Sequence, residues 1–236
     1  MTIFSNPIAV AIDTSDLDEA ERLAGALKGH VGCLKLGLEF FYARGRAGYE
    51  RLARHGLPIF LDLKLHDIPT TVSQALDAVM TLHPPPSLVN VHASGGRAML
   101  EAAATAISGR AKLIAVTVLT SLGDHDLKEI GFSGTIKSTD HSLELARLAK
   151  RSRADGVVCS PLEVNMIKQE LGKDFLAVVP GIRPKGSTTG DQKRFATPRE
   201  AMKAGADLLV IGRPITQAPD PQAAARAIAG ELADAG

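Results

Sequence analysis

An eight-stranded parallel β/α barrel is the fold class the sequence predicts, from three observations. Eight short apolar runs recur along the 236 residues, most of them rich in Val, Ile and Leu and nearly continuous, as strands buried on both faces are. Segments of helical periodicity lie between the runs. The interval is about thirty residues per strand–helix unit, close to a βαβ repeat. An open doubly wound sheet fits the same periodicity, because periodicity does not show closure. No repeat, low-complexity tract or linker divides the chain, so residues 1–236 read as one domain.

The elements follow in order. Strands are predicted over 8–13, 32–37, 58–64, 88–92, 113–119, 156–160, 175–182 and 208–213. The first helix, 16–28, carries Leu17, Ala20, Ala24 and Leu27 at helical spacing. The segment 69–82 places Val72, Ala75, Leu76, Val79 and Met80 on one face. Further helices are predicted over 39–54, 96–107, 142–153, 161–171, 198–204 and 221–233. Several open with Pro or a capping residue, as helix starts do. Residues 123–139 read as an insertion.

Composition excludes several functions. Lys plus Arg number 27 against 26 Asp plus Glu, so the charge balance carries no footprint of nucleic-acid or membrane-surface binding. No apolar run is long enough to span a bilayer, and the N-terminus lacks a basic region, so a cytoplasmic protein is expected. Two cysteines, Cys33 and Cys159, make neither a disulfide framework nor a multi-cysteine metal site. No paired-histidine spacing, phosphate-binding Walker loop, dinucleotide fingerprint or nucleophile elbow is present, and no metal or cofactor is expected.

Barrels of this class place their active sites at the carboxyl ends of the strands. Polar residues there are the informative ones. Asp13 ends the first run, Lys35 lies near the end of the second, and Asp62 and Lys64 end the third. Asn90 and His92 end the fourth, Thr120 and Ser121 follow the fifth, Ser160 ends the sixth, Arg183 follows the seventh, and Gly212-Arg213 ends the eighth. Asp62 and Lys64, two apart, share a strand face, and the leucines at 61, 63 and 65 take the other. Charges on an inward face are costly unless paired, and Lys35 on the adjacent strand supplies a partner. Asp67 fits a cap for the helix at Pro69 as well as a catalytic group. Asp13, followed by Thr14, Ser15 and Asp16, fits a turn and cap, and Lys35 with Asp62 fits a structural pair. His92 fits a hydrogen-bonded rim residue better than a catalyst. Alternating charges on adjacent core strands are harder to assign to structure alone. Gly212-Arg213 lies where such barrels bind phosphate, and the polar loop 181–194 beside it reads as a lid.

The run Asp62-Leu63-Lys64-Leu65-His66-Asp67-Ile68-Pro69-Thr70-Thr71 resembles the signature of the orotidine 5′-phosphate decarboxylase family. Ala11-Ile12-Asp13, Leu34-Lys35-Leu36-Gly37, Val118-Leu119-Thr120-Ser121, Val179-Pro180-Gly181-Ile182-Arg183 and Ile211-Gly212-Arg213-Pro214-Ile215 match in order and spacing, so the resemblance covers essentially the whole chain. It implies conversion of orotidine 5′-phosphate to UMP and CO2, the last step of de novo pyrimidine biosynthesis, without a cofactor. It implies a catalytic tetrad of Lys35, Asp62, Lys64 and Asp67, with Lys64 as proton donor. Asp13 would contact the ribose, Thr120 and Ser121 the pyrimidine, and Gln192, Arg213 and the Gly212 backbone the phosphate. Pro180 would line the substrate site, and Arg183 would stand at the root of the lid. Asp67, Ile68 and Thr71 would reach the partner's site in a homodimer. Related Mg²⁺-dependent sugar-phosphate decarboxylases and aldolases are the rival reading, and they carry an acidic residue near the position of Lys35. A non-catalytic phosphate-binding barrel is a third, but it needs no Asp62–Lys64 pair.

Overall fold

The predicted runs all form strands, and the sheet they make is closed. The computed structural model describes residues 4–135, 137–184 and 194–233. Its strands are β1 (Ile8–Ile12), β2 (Cys33–Leu36), β3 (Ile59–Leu65), β4 (Leu88–His92), β5 (Lys112–Val116), β6 (Gly156–Val158), β7 (Leu176–Val179) and β8 (Leu208–Ile211). They pair in sequence order, all parallel, and β8 returns to β1. The helices around them are α1 (Leu17–Leu27), α2 (Leu38–Ala53), α3 (Pro69–Val79), α4 (Gly96–Ile107), α5 (Asp124–Glu129), α6 (Ser138–Arg151), α7 (Val164–Leu171), α8 (Pro198–Lys203), α9 (Arg213–Thr216) and α10 (Pro221–Ala233). No described helix is long and apolar enough to cross a membrane.

Pleating divides each strand between two cores. Ala9, Cys33, Phe60, Leu88, Ile114, Leu176, Val178 and Leu208 form a buried cluster of their own, the filling of the barrel. The alternate residues join the helix faces in a larger outer core, which includes Ile8, Leu34, Leu61 and Val89. Both strand faces are therefore dry, which is why the runs read as continuous. Closure demands tight spacing in places. A Cβ on Gly156 would fall 2.3 Å from the Leu176 carbonyl oxygen, so β6 meets β7 more closely there than a side chain allows. Two residues beyond the inner filling, β2, β3 and β4 present Lys35, Asp62 and Asn90 instead of carbon, all buried.

Several boundaries differ from expectation. The fifth strand ends at Val116, and the eighth ends at Ile211, so Arg213 opens the short helix α9. The segment 123–139 contains α5, a helix with one buried residue, Leu127. The next helix, α6, starts at Ser138, four residues before the expected start. Asp124 Oδ1 accepts the Ser138 N–H at 2.8 Å, a helix-start contact supplied from fourteen residues away. The helix predicted over 161–171 begins at Val164, after a turn in which the Glu163 N–H donates to the Ser160 carbonyl. Inside α2, Gly45 has a φ of 55°, which kinks the helix.

Candidate active site

A cavity of about 510 Å³ opens at the carboxyl ends of the strands. Its lining includes Asp13, Lys35, Asp62 and Lys64, together with Thr120, Ser121, Pro180, Arg183, Gly212 and Arg213. Ten of the residues singled out in the sequence thus converge. Asp67, Ile68 and Thr71 do not line it. Gln192 and the middle of the predicted lid, 185–193, lie outside the described residues.

The charges form an alternating chain along adjacent strands. Lys35 Nζ lies 3.1 Å from Asp13 Oδ1 and 3.4 Å from Asp62 Oδ2. Lys64 Nζ lies 2.7 Å from Asp62 Oδ1. The two inner members are nearly sealed, with Lys35 7% and Asp62 8% exposed. Burial pushes the Asp62 carboxyl up. The Lys35 and Lys64 ammoniums and the hydrogen bonds from Lys64 and Asn90 outweigh it and hold Asp62 below its ordinary range. Burial likewise pulls the Lys35 ammonium down, but Asp62 and Asp13 together hold it above its ordinary value. Gly37 makes room for this arrangement, since a Cβ there would sit 3.0 Å from Lys35 Nζ and 3.2 Å from Asp13 Oδ1.

Asp62 and Lys64 meet, but not through a plain pleat. Leu61 pairs with Val89 and Leu65 with Val91, so three β3 residues stand opposite the single residue Asn90. Lys64 sits at φ 51°, in the left-handed region. A bulge with a non-glycine residue in that region costs on the order of 1–3 kcal/mol. Local hydrogen bonds offset that cost. The Lys64 N–H donates to Asn90 Oδ1 at 2.8 Å, and Asn90 Nδ2 donates to Asp62 Oδ1 at 2.7 Å.

Neither Asp13 nor Asp67 caps a helix. Asp16, not Asp13, caps α1, accepting from the Asp18 and Glu19 N–H groups. Asp67 does not cap α3, whose cap position is Ile68. Its Oδ1 accepts the N–H of Ile68 at 2.6 Å. Asp67, Ile68 and Thr71 are all exposed, Ile68 at 66%. His92 packs against His66, the rings tilted by 35° with centroids 5.3 Å apart. Burial, His66 and Lys64 hold its imidazole below the usual value.

The sequence reading missed a second buried charge pair. Glu163 is fully buried and Arg194 nearly so, and Arg194 Nη1 donates to Glu163 Oε1. Arg194 Nη2 donates to the carbonyls of Val118 and Leu119, at 3.1 and 3.0 Å. Glu163 Oε2 accepts the Ser160 N–H at 2.8 Å. One guanidinium therefore ties the end of the long loop after β7 to the turn bearing Thr120 and to the loop after β6. The partners are 31 residues apart, with no local pattern to reveal them. Gln217, at the end of α9, also lines the cavity and was not anticipated. Among the described residues one trio, His125, Asp126 and Glu129, is spaced to hold a metal ion. It lies on α5, and none of the three lines the cavity.

Residues 6–228 match the family described as Orotidine 5′-phosphate decarboxylase / HUMPS family. An orotidine 5′-phosphate decarboxylase of Rhodospirillum rubrum is 53% identical over 236 residues, covering 96% of this chain and 94% of the relative. One of Novosphingobium aromaticivorans is 53% identical over 228 residues, covering 97% and 100%. The crystal structure of orotidine 5′-phosphate decarboxylase from Lactobacillus acidophilus superposes with a TM-score of 0.84 at 38% identity, covering 97% of this chain and 99% of that one.

Arg194→Ala leaves Glu163 buried without its cation. Stability should fall by about 3–5 kcal/mol, the usual cost of breaking a buried pair from one side. Replacing both partners, Arg194→Met with Glu163→Leu, should recover much of the loss. Chemical denaturation of the three proteins measures this. An Arg194→Ala midpoint equal to the parent's would contradict it.

Proposed function

The chain belongs to the orotidine 5′-phosphate decarboxylase / HUMPS family, and we propose that it acts as a cofactor-independent carboxy-lyase whose charged chain decarboxylates orotidine 5′-phosphate to UMP. The observation that carries the reading is the alternating chain Asp13–Lys35–Asp62–Lys64 at the cavity wall. The whole chain, 1–236, serves as one catalytic domain.

The chemistry sets a specific demand. Breaking the bond from C6 to the carboxyl carbon leaves its electron pair on C6, and no ring or cofactor delocalises it. Stabilisation must come from a preorganised cation. The Lys64 ammonium supplies that charge and then transfers a proton to C6, giving UMP and a neutral amine that solvent reprotonates. Asp62 stands beside the departing carboxylate and holds Lys64 by its ion pair. Asp13 takes the ribose hydroxyls, Thr120 and Ser121 the pyrimidine, and Gly212 with Arg213 the phosphate. Pro180 and Arg183 line the substrate's side of the cavity, and the phosphate role that the resemblance implies for Gln192 falls outside the described residues. The phosphate lies far from the reacting bond, so its binding energy serves to position C6.

Lys35 separates this reading from the Mg²⁺-dependent alternative. The Lys35 ammonium bridges the carboxylates of Asp13 and Asp62, where the Mg²⁺-dependent relatives would carry an acidic residue. Asp67, Ile68 and Thr71 are exposed and stand outside the cavity of their own chain. They complete the site of a second copy, so the working enzyme is a homodimer.

Purified protein should lower the ultraviolet absorbance of orotidine 5′-phosphate, and exhaustive EDTA treatment should leave the rate unchanged. A rate that disappears with EDTA and returns with Mg²⁺ would favour the sugar-phosphate relatives. Lys64→Ala should lose turnover while still binding UMP. Arg213→Ala should lower kcat/KM by several kcal/mol, the scale of a lost contact to a charged group. Turnover near normal in the first, or unchanged kcat/KM in the second, would remove the assigned role. Mixing inactive Lys64→Ala and Asp67→Ala chains should restore one intact site per heterodimer. No recovery after verified subunit exchange would exclude the shared site.

A further inference from the structure

Asn90 sits at the centre of the bulge, and both ends of its carboxamide are committed. It is 1% exposed, on β4, opposite Asp62–Lys64. The Lys64 N–H has only a hydrogen to offer, so the atom facing it must be the amide oxygen. Ionised Asp62 only accepts, so the atom facing it must be the amide nitrogen. The two requirements agree, which fixes the orientation of the group. Asp62 Oδ1, the oxygen that takes the Asn90 N–H at 2.7 Å, also takes Lys64 Nζ at 2.7 Å. Backbone and side chain of Lys64 are thereby joined in one ring through Asn90 and Asp62.

We infer that Asn90 is a positioning residue for the reaction, holding the left-handed backbone of Lys64 and aiming its ammonium through Asp62. The inference rests on the reading of Lys64 as the proton donor. An amide suits this place because it carries a donor and an acceptor in one plane and no charge. A protonated carboxyl shares that pattern. An ionised one lacks the donor and places a second negative charge against Asp62.

That difference makes Asn90→Asp the test. Its titratable surroundings are Asp62 and Lys64 on β3, Lys35 reached through Asp62, and His92 further along β4 with His66 packed against it. On the other side β5 presents Ile114, which does not titrate. Burial and Asp62 favour the neutral acid at position 90, and the opposing Lys64 and Lys35 ammoniums are already paired with Asp62 and Asp13. Turnover of Asn90→Asp should therefore be highest at low pH and fall as pH rises, over a range in which the parent enzyme stays level. Asn90→Ala should lose about 100-fold in kcat at every pH, the scale of a misplaced catalytic group. UMP binding and the melting temperature should change far less than kcat. If Asn90→Ala does not fold, Asn90→Ser takes the same measurements.

A pH profile of Asn90→Asp parallel to the parent's would overturn the inference. So would a kcat for Asn90→Ala close to the parent's, or equal losses in kcat and UMP affinity together with a collapsed melting temperature. Lys64→Ala, assayed beside them, separates the two levels. If Lys64→Ala turns over normally, the reading of the site falls and takes the inference with it. If Lys64→Ala is dead while Asn90→Ala is normal, the inference about Asn90 alone falls.

Discussion

An ammonium sealed between core strands costs several kcal/mol unless its charge is met at close range. Lys35 is such a group, and its desolvation orders the mouth of the barrel. It requires Asp13 on one side and Asp62 on the other, and Asp62, nearly as buried, then draws in Lys64. The alternation follows from electrostatics, since neither of the two sealed members, Lys35 and Asp62, is tolerable without its neighbours. Exposure grades along it. The inner side chains of Lys35 and Asp62 are 8% and 11% exposed, while Asp13 and Lys64 at the ends reach 56% and 29%. The outer pair is free to meet a substrate because the inner pair is held. Under the proposed function, the acceptor at one end serves the ribose hydroxyls, and the cation at the other serves the developing negative charge.

Geometry at Lys64 depends on that same chain. A lysine gains nothing locally from the left-handed region, so the bulge persists only where its surroundings over-determine it. They do so here through Asn90, Asp62 and the flanking register of Leu61 and Leu65. Rigid packing below supports it, because Phe60 and Leu88 are locked in the barrel filling just before the bulge begins. Strain and charge are thus concentrated in one layer, above a layer of carbon that carries the stability.

The strands were legible because dry faces on both sides leave continuous apolar runs. The long helices were legible from their periodicity. Short or remotely specified features were not. α5 has a single buried side chain, too little for a periodic signal, and the start of α6 depends on Asp124 across a loop. At the site, residue types at strand ends sufficed to find Asp13, Lys35, Asp62 and Lys64. Their mutual geometry was only half readable. Spacing by two suggested that Asp62 and Lys64 share a pleat face, whereas they meet across a bulge that no glycine announces. Asp13 and Asp16 offered the same cap chemistry three residues apart, and the strand end, not the residue type, decided between them. Arg194 and Glu163 were invisible because their pairing is purely tertiary.

Barrel closure gives the site its linear order. β8 is hydrogen-bonded to β1, β1 to β2, and β2 to β3. The ends of these four neighbours present Gly212 and Arg213, then Asp13, then Lys35, then Asp62 and Lys64. Gly212 is close enough to β1 that a Cβ there would lie 3.7 Å from Asp13 Oδ2. Under the proposed function this sequence of strand ends matches the sequence of groups along a nucleotide: phosphate, ribose, and the reacting edge of the base. A break between β8 and β1 would separate the phosphate site from the ribose site by the width of an open sheet. Closure is therefore part of the chemistry, because it lets binding energy gathered at one strand end be spent at another three strands away.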